Sequence, residues 1–180
     1  MKQANKLLKT LTLFLSWLPF VNTTVQAETL QVGQVAPRFE LKTQTGALFN
    51  LASRQQQGWT VLYFYPKADT PGCTKQACAF RDSIQLIRNQ NADVFGISTD
   101  SVESLQAFQQ KYHLNFTLLS DPDALATEAY GVKMPVVKYA KRRTFILDPD
   151  LVVRKIDDDV DPAQDAQRVA DALKQLQSAP

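Results

Sequence analysis

Val61-Leu62-Tyr63-Phe64-Tyr65-Pro66-Lys67-Ala68-Asp69-Thr70-Pro71-Gly72-Cys73-Thr74-Lys75-Gln76-Ala77-Cys78 is the stretch on which the reading of this 180-residue chain turns. Its first five residues are an unbroken apolar and aromatic run, the pattern of a central strand buried on both faces. Pro66 ends that strand, since proline cannot donate to a sheet ladder. Beyond Pro71, a residue suited to a first helical turn, Ala77, Phe80, Ile84 and Ile87 fall on one face of a helix. The segment therefore reads as strand, loop and helix, with a cysteine in the helix's first turn. In open α/β sheets the carboxyl edge of the strands is where ligands and reactive groups gather. Unpaired N–H groups and the positive end of the helix dipole favour a thiolate over a thiol there. Cys73 is thus placed to be reactive. Thr70 can offer a hydroxyl toward the sulfur or the oxygen it attacks, while Pro66 and Pro71 stiffen the loop.

Working outward, Phe39 to Leu41 and Leu48 to Leu51 predict a short hairpin around Thr45-Gly46, and Val94 to Ser98 a further strand. Asp100 with Glu103 resembles a capping box ahead of the stripe Val102, Leu105, Phe108 and Tyr112. Asp121-Pro122 opens a shorter helix that Gly131 closes. Thr144 to Leu147 and Leu151 to Ile156 form a hairpin through Asp148-Pro149-Asp150. Asp161-Pro162 caps a last helix with Ala166, Val169, Leu173 and Leu176 inward. Strands and helices that alternate after an initial hairpin predict an α/β fold, a mixed central sheet flanked by helices.

Residues 1–27 follow export rules rather than folding rules. Lys2, Lys6 and Lys9 precede an apolar run from Leu11 to Val21, and Val25-Gln26-Ala27 is a small-residue cleavage site. Interrupted by Pro19, that run falls well short of the roughly 20 residues that span a bilayer. The reading is a signal peptide followed by one domain over 28–180. The periplasm is its expected destination, with a thylakoid lumen or the medium as alternatives. Without Lys2, Lys6 and Lys9 the 20 basic residues fall to 17 against 18 acidic ones, so the formal +2 charge belongs to the leader. The mature chain then offers no charge case for nucleic acid or anionic membranes. Two Cys and one His, His113, cannot supply a four-ligand zinc site, and no EF-hand spacing is present, so neither metal nor cofactor is implied.

Two cysteines in an exported protein suggest first a structural disulfide. Helix geometry weighs against it. Residues five apart on a helix have Cα atoms about 8.7 Å apart and about 140° around the axis, whereas a disulfide needs less than about 7 Å. Cys73 and Cys78 can be joined only if the first turns unwind. So short a loop gains about 2 kcal/mol of chain entropy, offset by the lost helix. A pair that changes structure with redox state accounts for the spacing better than a staple.

These residues resemble the peroxiredoxins. Pro66, Thr70 and Cys73 reproduce the family's Pro-x-x-x-Thr-x-x-Cys motif, and the Tyr63-Phe64-Tyr65-Pro66 lead-in, Pro71-Gly72 and a second cysteine five residues on are similar to the peroxiredoxin Q or bacterioferritin comigratory protein branch. The likeness continues through Gly96 to Ser101, Lys111 to Leu114, Leu118 to Asp121 and Thr144 to Asp148. It implies a thioredoxin-like fold and antioxidant, thiol-dependent reduction of hydrogen peroxide and organic hydroperoxides. It further implies Cys73 as the peroxidatic cysteine, Cys78 as the resolving one, a redox-active disulfide between them, a thioredoxin-like or other dithiol reductant, and a monomer.

The family's distant arginine, three residues before a strand phenylalanine, corresponds to Arg142 ahead of Phe145. Strand alternation sends Arg142 and Arg143 to opposite faces, so one of them at most faces Cys73. The other is a solvated charge in the cluster with Lys138 and Lys141. His113 and the run Asp157-Asp158-Asp159 read as solvated surface, Trp59 as packing, and Phe64, Tyr65 and Phe80 as core and pocket wall. Two other classes stay in view. One is an exported thiol-disulfide oxidoreductase of thioredoxin type, which would normally carry Cys-x-x-Cys. The other is a binding domain with a structural disulfide.

Overall fold

The computed structural model describes residues 30–178; the expected signal peptide lies outside the described residues. Seven strands form one sheet: β1 (Glu40–Thr43), β2 (Leu48–Asn50), β3 (Trp59–Phe64), β4 (Ala92–Ser98), β5 (Thr117–Ser120), β6 (Arg143–Leu147) and β7 (Val153–Asp157). The spatial order is β2-β1-β5-β4-β3-β6-β7. The central strands β3, β4 and β5 run parallel, and β1, β2, β6 and β7 are antiparallel to their neighbours. The helices are α1 (Pro71–Arg88), α2 (Val102–Tyr112), α3 (Leu125–Ala129) and α4 (Asp165–Ser178). This is the mixed α/β sandwich that the alternation predicts.

Strand β3 carries two cores because its side chains alternate. Val61 and Tyr63 join Tyr65 and Cys73 on one face, under Phe80, Ile84 and Ile87 of α1, Phe108 of α2, and Val169 and Leu173 of α4. Leu62 and Phe64 join Phe95, Leu119, Tyr130 and Phe145 on the other. Phe64 therefore packs against Tyr130 and Phe145, away from Cys73, and is no wall of a pocket there. Tyr65 and Phe80 do share the cysteine's cluster.

Three local readings are corrected. Strand β5, inserted between β1 and β4, escapes the periodicity because it is four residues long and adjoins other apolar positions. Asp100 caps no helix: Ser101 is the N-cap of α2 and accepts from the Ser104 amide, while Asp100 accepts from Ala68 N and Ser98 Oγ. The third concerns the shorter helix, which starts at Leu125; Asp121 stands before it and accepts from the Leu125 and Thr127 amides and the Thr127 hydroxyl.

Close approach fixes one glycine. A Cβ at Gly96 would lie 2.6 Å from Cζ and Oη of Tyr63, a fully buried ring. Gly96→Ala is expected to lower the free energy of unfolding by about 1–3 kcal/mol through overpacking, read as a lower urea midpoint at unchanged slope.

Candidate active site

The site lies where the chain leaves β3 and enters α1. Tyr65 still donates to the Ile97 carbonyl, and half-buried Pro66 then turns the chain out of the sheet. The loop is held at two points. The Ala68 amide donates to Asp100 at 2.7 Å. Asp69, in the left-handed region at φ 58°, accepts from Lys111 Nζ at 2.7 Å and from Tyr112 Oη at 2.6 Å. Those donors hold the Asp69 carboxyl below the usual carboxylate range. Thr70 is the N-cap residue of α1, and its hydroxyl donates to the Lys67 carbonyl at 2.9 Å.

Cys73 is 2% exposed, in the first turn of α1, and Cys78 is half-buried on the same continuous helix. Both are free thiols. Arg142, just before β6, donates through Nη2 to Cys73 Sγ at 3.3 Å. Arg143 points the other way, as alternation requires, and its Nε is paired with Asp158, so it is not a solvated charge. A Cβ at Gly72 would stand 3.3 Å from Arg142 Nη2, so glycine there leaves the guanidinium its room. Of the residues singled out in the sequence, the fold brings Pro66, Thr70, Cys73 and Arg142 to one end of the sheet, with Cys78 on the next turns of the helix. His113, exposed, is the left-handed C-cap of α2.

The sequence reading missed a buried polar chain. Gln76, fully buried, accepts from Arg142 Nη1 through Oε1 and donates through Nε2 to Asp165 Oδ2 at 2.6 Å. The Thr144 hydroxyl donates to the same oxygen at 2.8 Å. Burial pushes the Asp165 carboxyl above its ordinary range, although Gln76 and Thr144 pull it back. The signal was present: Gln76 lies beside Ala77 and Phe80 on the inward stripe of α1, and a polar residue there must find buried partners.

A thioredoxin-like sheet with a buried, arginine-bonded cysteine at the head of a helix defines a thiol enzyme, and comparison places it. The chain belongs to the AhpC/TSA family, which matches residues 32–156. It is 43% identical over 136 residues to peroxiredoxin Bcp of Escherichia coli K12, covering 72% of this chain and 86% of the relative. It is 40% identical over 159 residues to a chloroplastic peroxiredoxin Q of Populus jackii, covering 88% and 73%. A solved structure of Xanthomonas campestris bacterioferritin comigratory protein, concerned with alkyl peroxide reduction, matches with a TM-score of 0.73 at 31% identity, covering 77% of this chain and 91% of that one. The chain is a peroxiredoxin of the Bcp and peroxiredoxin Q kind, with thiol peroxidase activity.

The Asp69 clamp has a direct test. A carboxyl lowered on folding contributes stability that is fully present above its unfolded value of about 3.9 and is lost as pH falls through the folded value. NMR titration of the Asp69 carboxyl carbon is expected to give a midpoint below that value, and Lys111→Met to move it upward.

Proposed function

We propose that this protein reduces hydrogen peroxide and organic hydroperoxides with Cys73 as the attacking thiolate and Cys78 as the resolving thiol. The observation that carries the reading is the 3.3 Å hydrogen bond from Arg142 to the sulfur of a buried cysteine at a helix N-terminus. The sulfur attacks one peroxide oxygen, the O–O bond breaks, and the departing oxygen leaves as water or alcohol after taking a proton. Cys73 becomes a sulfenic acid. Arg142, the Cys73 amide and the Thr70 hydroxyl, once turned from Lys67, are the donors for the two oxygens as their bond lengthens. They act on charge that develops in the transition state. Pro66 shields the loop and limits its movement. Buried Tyr65 and Phe80 keep the surroundings of the sulfur apolar.

The second step joins Cys73 to Cys78 with release of water, so the sulfenic oxygen leaves and both sulfurs end at the disulfide level. It requires the first turns of α1 to open, by the helix geometry given above. An external dithiol of thioredoxin type then returns two thiols and is itself oxidised. The basic, apolar and small-residue pattern of residues 1–27 supports export, and the periplasm as the place of work. A monomer suffices, since both cysteines belong to one helix.

Reduced protein mixed with peroxide tests the reading. Cys73→Ser is expected to abolish peroxide consumption. Cys78→Ser is expected to consume about one equivalent and stop as sulfenic acid, detectable by intact mass and a diketone probe. Turnover by Cys73→Ser would overturn the assignment.

A further inference from the structure

The reaction proposed above asks two opposed things of α1: an intact first turn for attack, and an open one for resolution. On that reading, we propose that Gln76 and Asp165 form a latch that holds the helix closed and aims Arg142, so that the two residues set the balance between attack and resolution.

The segment is fixed at both ends. Asp69, just before the helix, accepts from the side chain of Tyr112. Arg81, two turns into the helix beyond Cys73, donates through Nη1 to the backbone carbonyl of the same Tyr112 at 2.7 Å. Asn115 Nδ2 in turn donates to the Arg81 carbonyl at 3.2 Å. Both ends of the stretch 70–80 are therefore tied to the end of α2. The movement that joins the cysteines is confined between those ties.

Within the bracket, among the described residues, the side-chain hydrogen bonds that reach another element from positions 71–80 are those of Gln76 and Cys73. Gln76 lies between the two cysteines in sequence, so unwinding from 73 to 78 must move it. Its departure strips Arg142 of its oxygen acceptor and Asp165 of one of its two donors. Asp165 is fully buried, and its Oδ1 has no hydrogen-bond partner among the described residues even in the closed state. A buried carboxyl that loses a donor is left costly, which favours the closed helix. The direction of its titration, upward through burial, is that of a poorly solvated acid. Asp165 also stands at the start of α4, which packs on α1, so the latch joins two helices that would otherwise meet through apolar side chains.

The chain from sulfur to Asp165 thus has two ends with different duties. Through its Oε1, Gln76 keeps one guanidinium nitrogen occupied so that the other faces Cys73 Sγ. Its Nε2 holds the helix to α4. Gln76 and Asp165 are positioning residues, since neither touches the sulfur or a peroxide. Removing Gln76 must therefore change the two chemical steps in opposite directions, whereas general loosening of the fold would not.

The test separates the steps in a single turnover of reduced protein with one equivalent of hydrogen peroxide. Attack is followed by peroxide loss and resolution by the disappearance of sulfenic acid into disulfide. Gln76→Met, close in size and without hydrogen-bonding capacity at its end, is expected to slow attack by about tenfold and speed resolution by about tenfold, the scale of a lost hydrogen bond to a charged group. Asp165→Asn keeps an oxygen acceptor for Gln76 but removes the carboxyl's capacity to carry charge, and retains the shape of the site. It is expected to speed resolution several-fold with a smaller loss in attack than Gln76→Met. Wild-type resolution rates in both variants, or a slowing of both steps together, would overturn the latch and leave the peroxidase reading standing. A wild-type protein that consumes peroxide without joining Cys73 to Cys78 would overturn the resolving role of Cys78, and the latch with it.

Discussion

A continuous helix cannot contain a disulfide between residues five apart, and this incompatibility organises the region around α1. The helix places Cys73 at the carboxyl edge of β3, against Arg142, with the unpaired amides of its first turn near the sulfur. The same continuity keeps Cys78 on another side of the axis. The proposed reaction needs both a fixed sulfur and a sulfur able to reach Cys78, and so needs its flexibility concentrated. The ties at Asp69 and Arg81 do so by anchoring the flanks of the segment to one residue, Tyr112. Among the described residues, the interior of the segment is held by the side-chain hydrogen bonds of Gln76 and by that of Cys73 itself.

That hold has a thermodynamic cost. Gln76, Thr144 and Asp165 are buried beside a hydrophobic core that includes Tyr63, Phe80, Ile84, Val169 and Leu173. An apolar replacement of similar volume is often neutral or stabilising where a buried charge is removed with its partners. A carboxyl with one oxygen unpartnered among the described residues is a cost that the proposed latch accounts for. The guanidinium of Arg142 requires it too: with one nitrogen on Gln76 and another on Cys73, its plane is fixed, as a lysine's point charge would not be.

How much of this was legible in the chain follows from the length scale of each signal. Val61 to Tyr65 announced β3 because five apolar residues in a row serve two cores at once, and the stripe from Ala77 to Ile87 announced α1 because it spans several turns. Strand β5, with four residues, offers no such repeat, and β1 owes its place to pairing with β5 as well as β2, which sequence spacing does not encode. Asp100 reads as part of a cap because its neighbourhood matches one; of the two donors it accepts from, Ser98 is two positions away and Ala68 is 32. The motif placed Pro66, Thr70 and Cys73 together, and alternation required Arg142 and Arg143 to diverge. Phe64 went astray on the same alternation, since adjacent residues of one strand cannot both face Cys73. Gln76 was visible as a polar residue on an apolar stripe, but its partners, Arg142 and Asp165, lie 66 and 89 positions on and only the fold supplies them.

The site also shows why the two anchors differ in kind. Asp69 is exposed and its ties to Lys111 and Tyr112 are in water, so they cost little to break and remake. Gln76 and Asp165 are fully buried, where an unmade hydrogen bond carries its full desolvation penalty. A loop that admits substrate can be held by exchangeable surface contacts, because any lapse is local and brief. A helix turn that must stay formed until the sulfur has reacted needs a contact that is costly to lose. In the proposed reaction the gradient from exposed clamp to buried latch matches the order in which the parts would give way, the loop to an incoming peroxide and then the helix to the second cysteine.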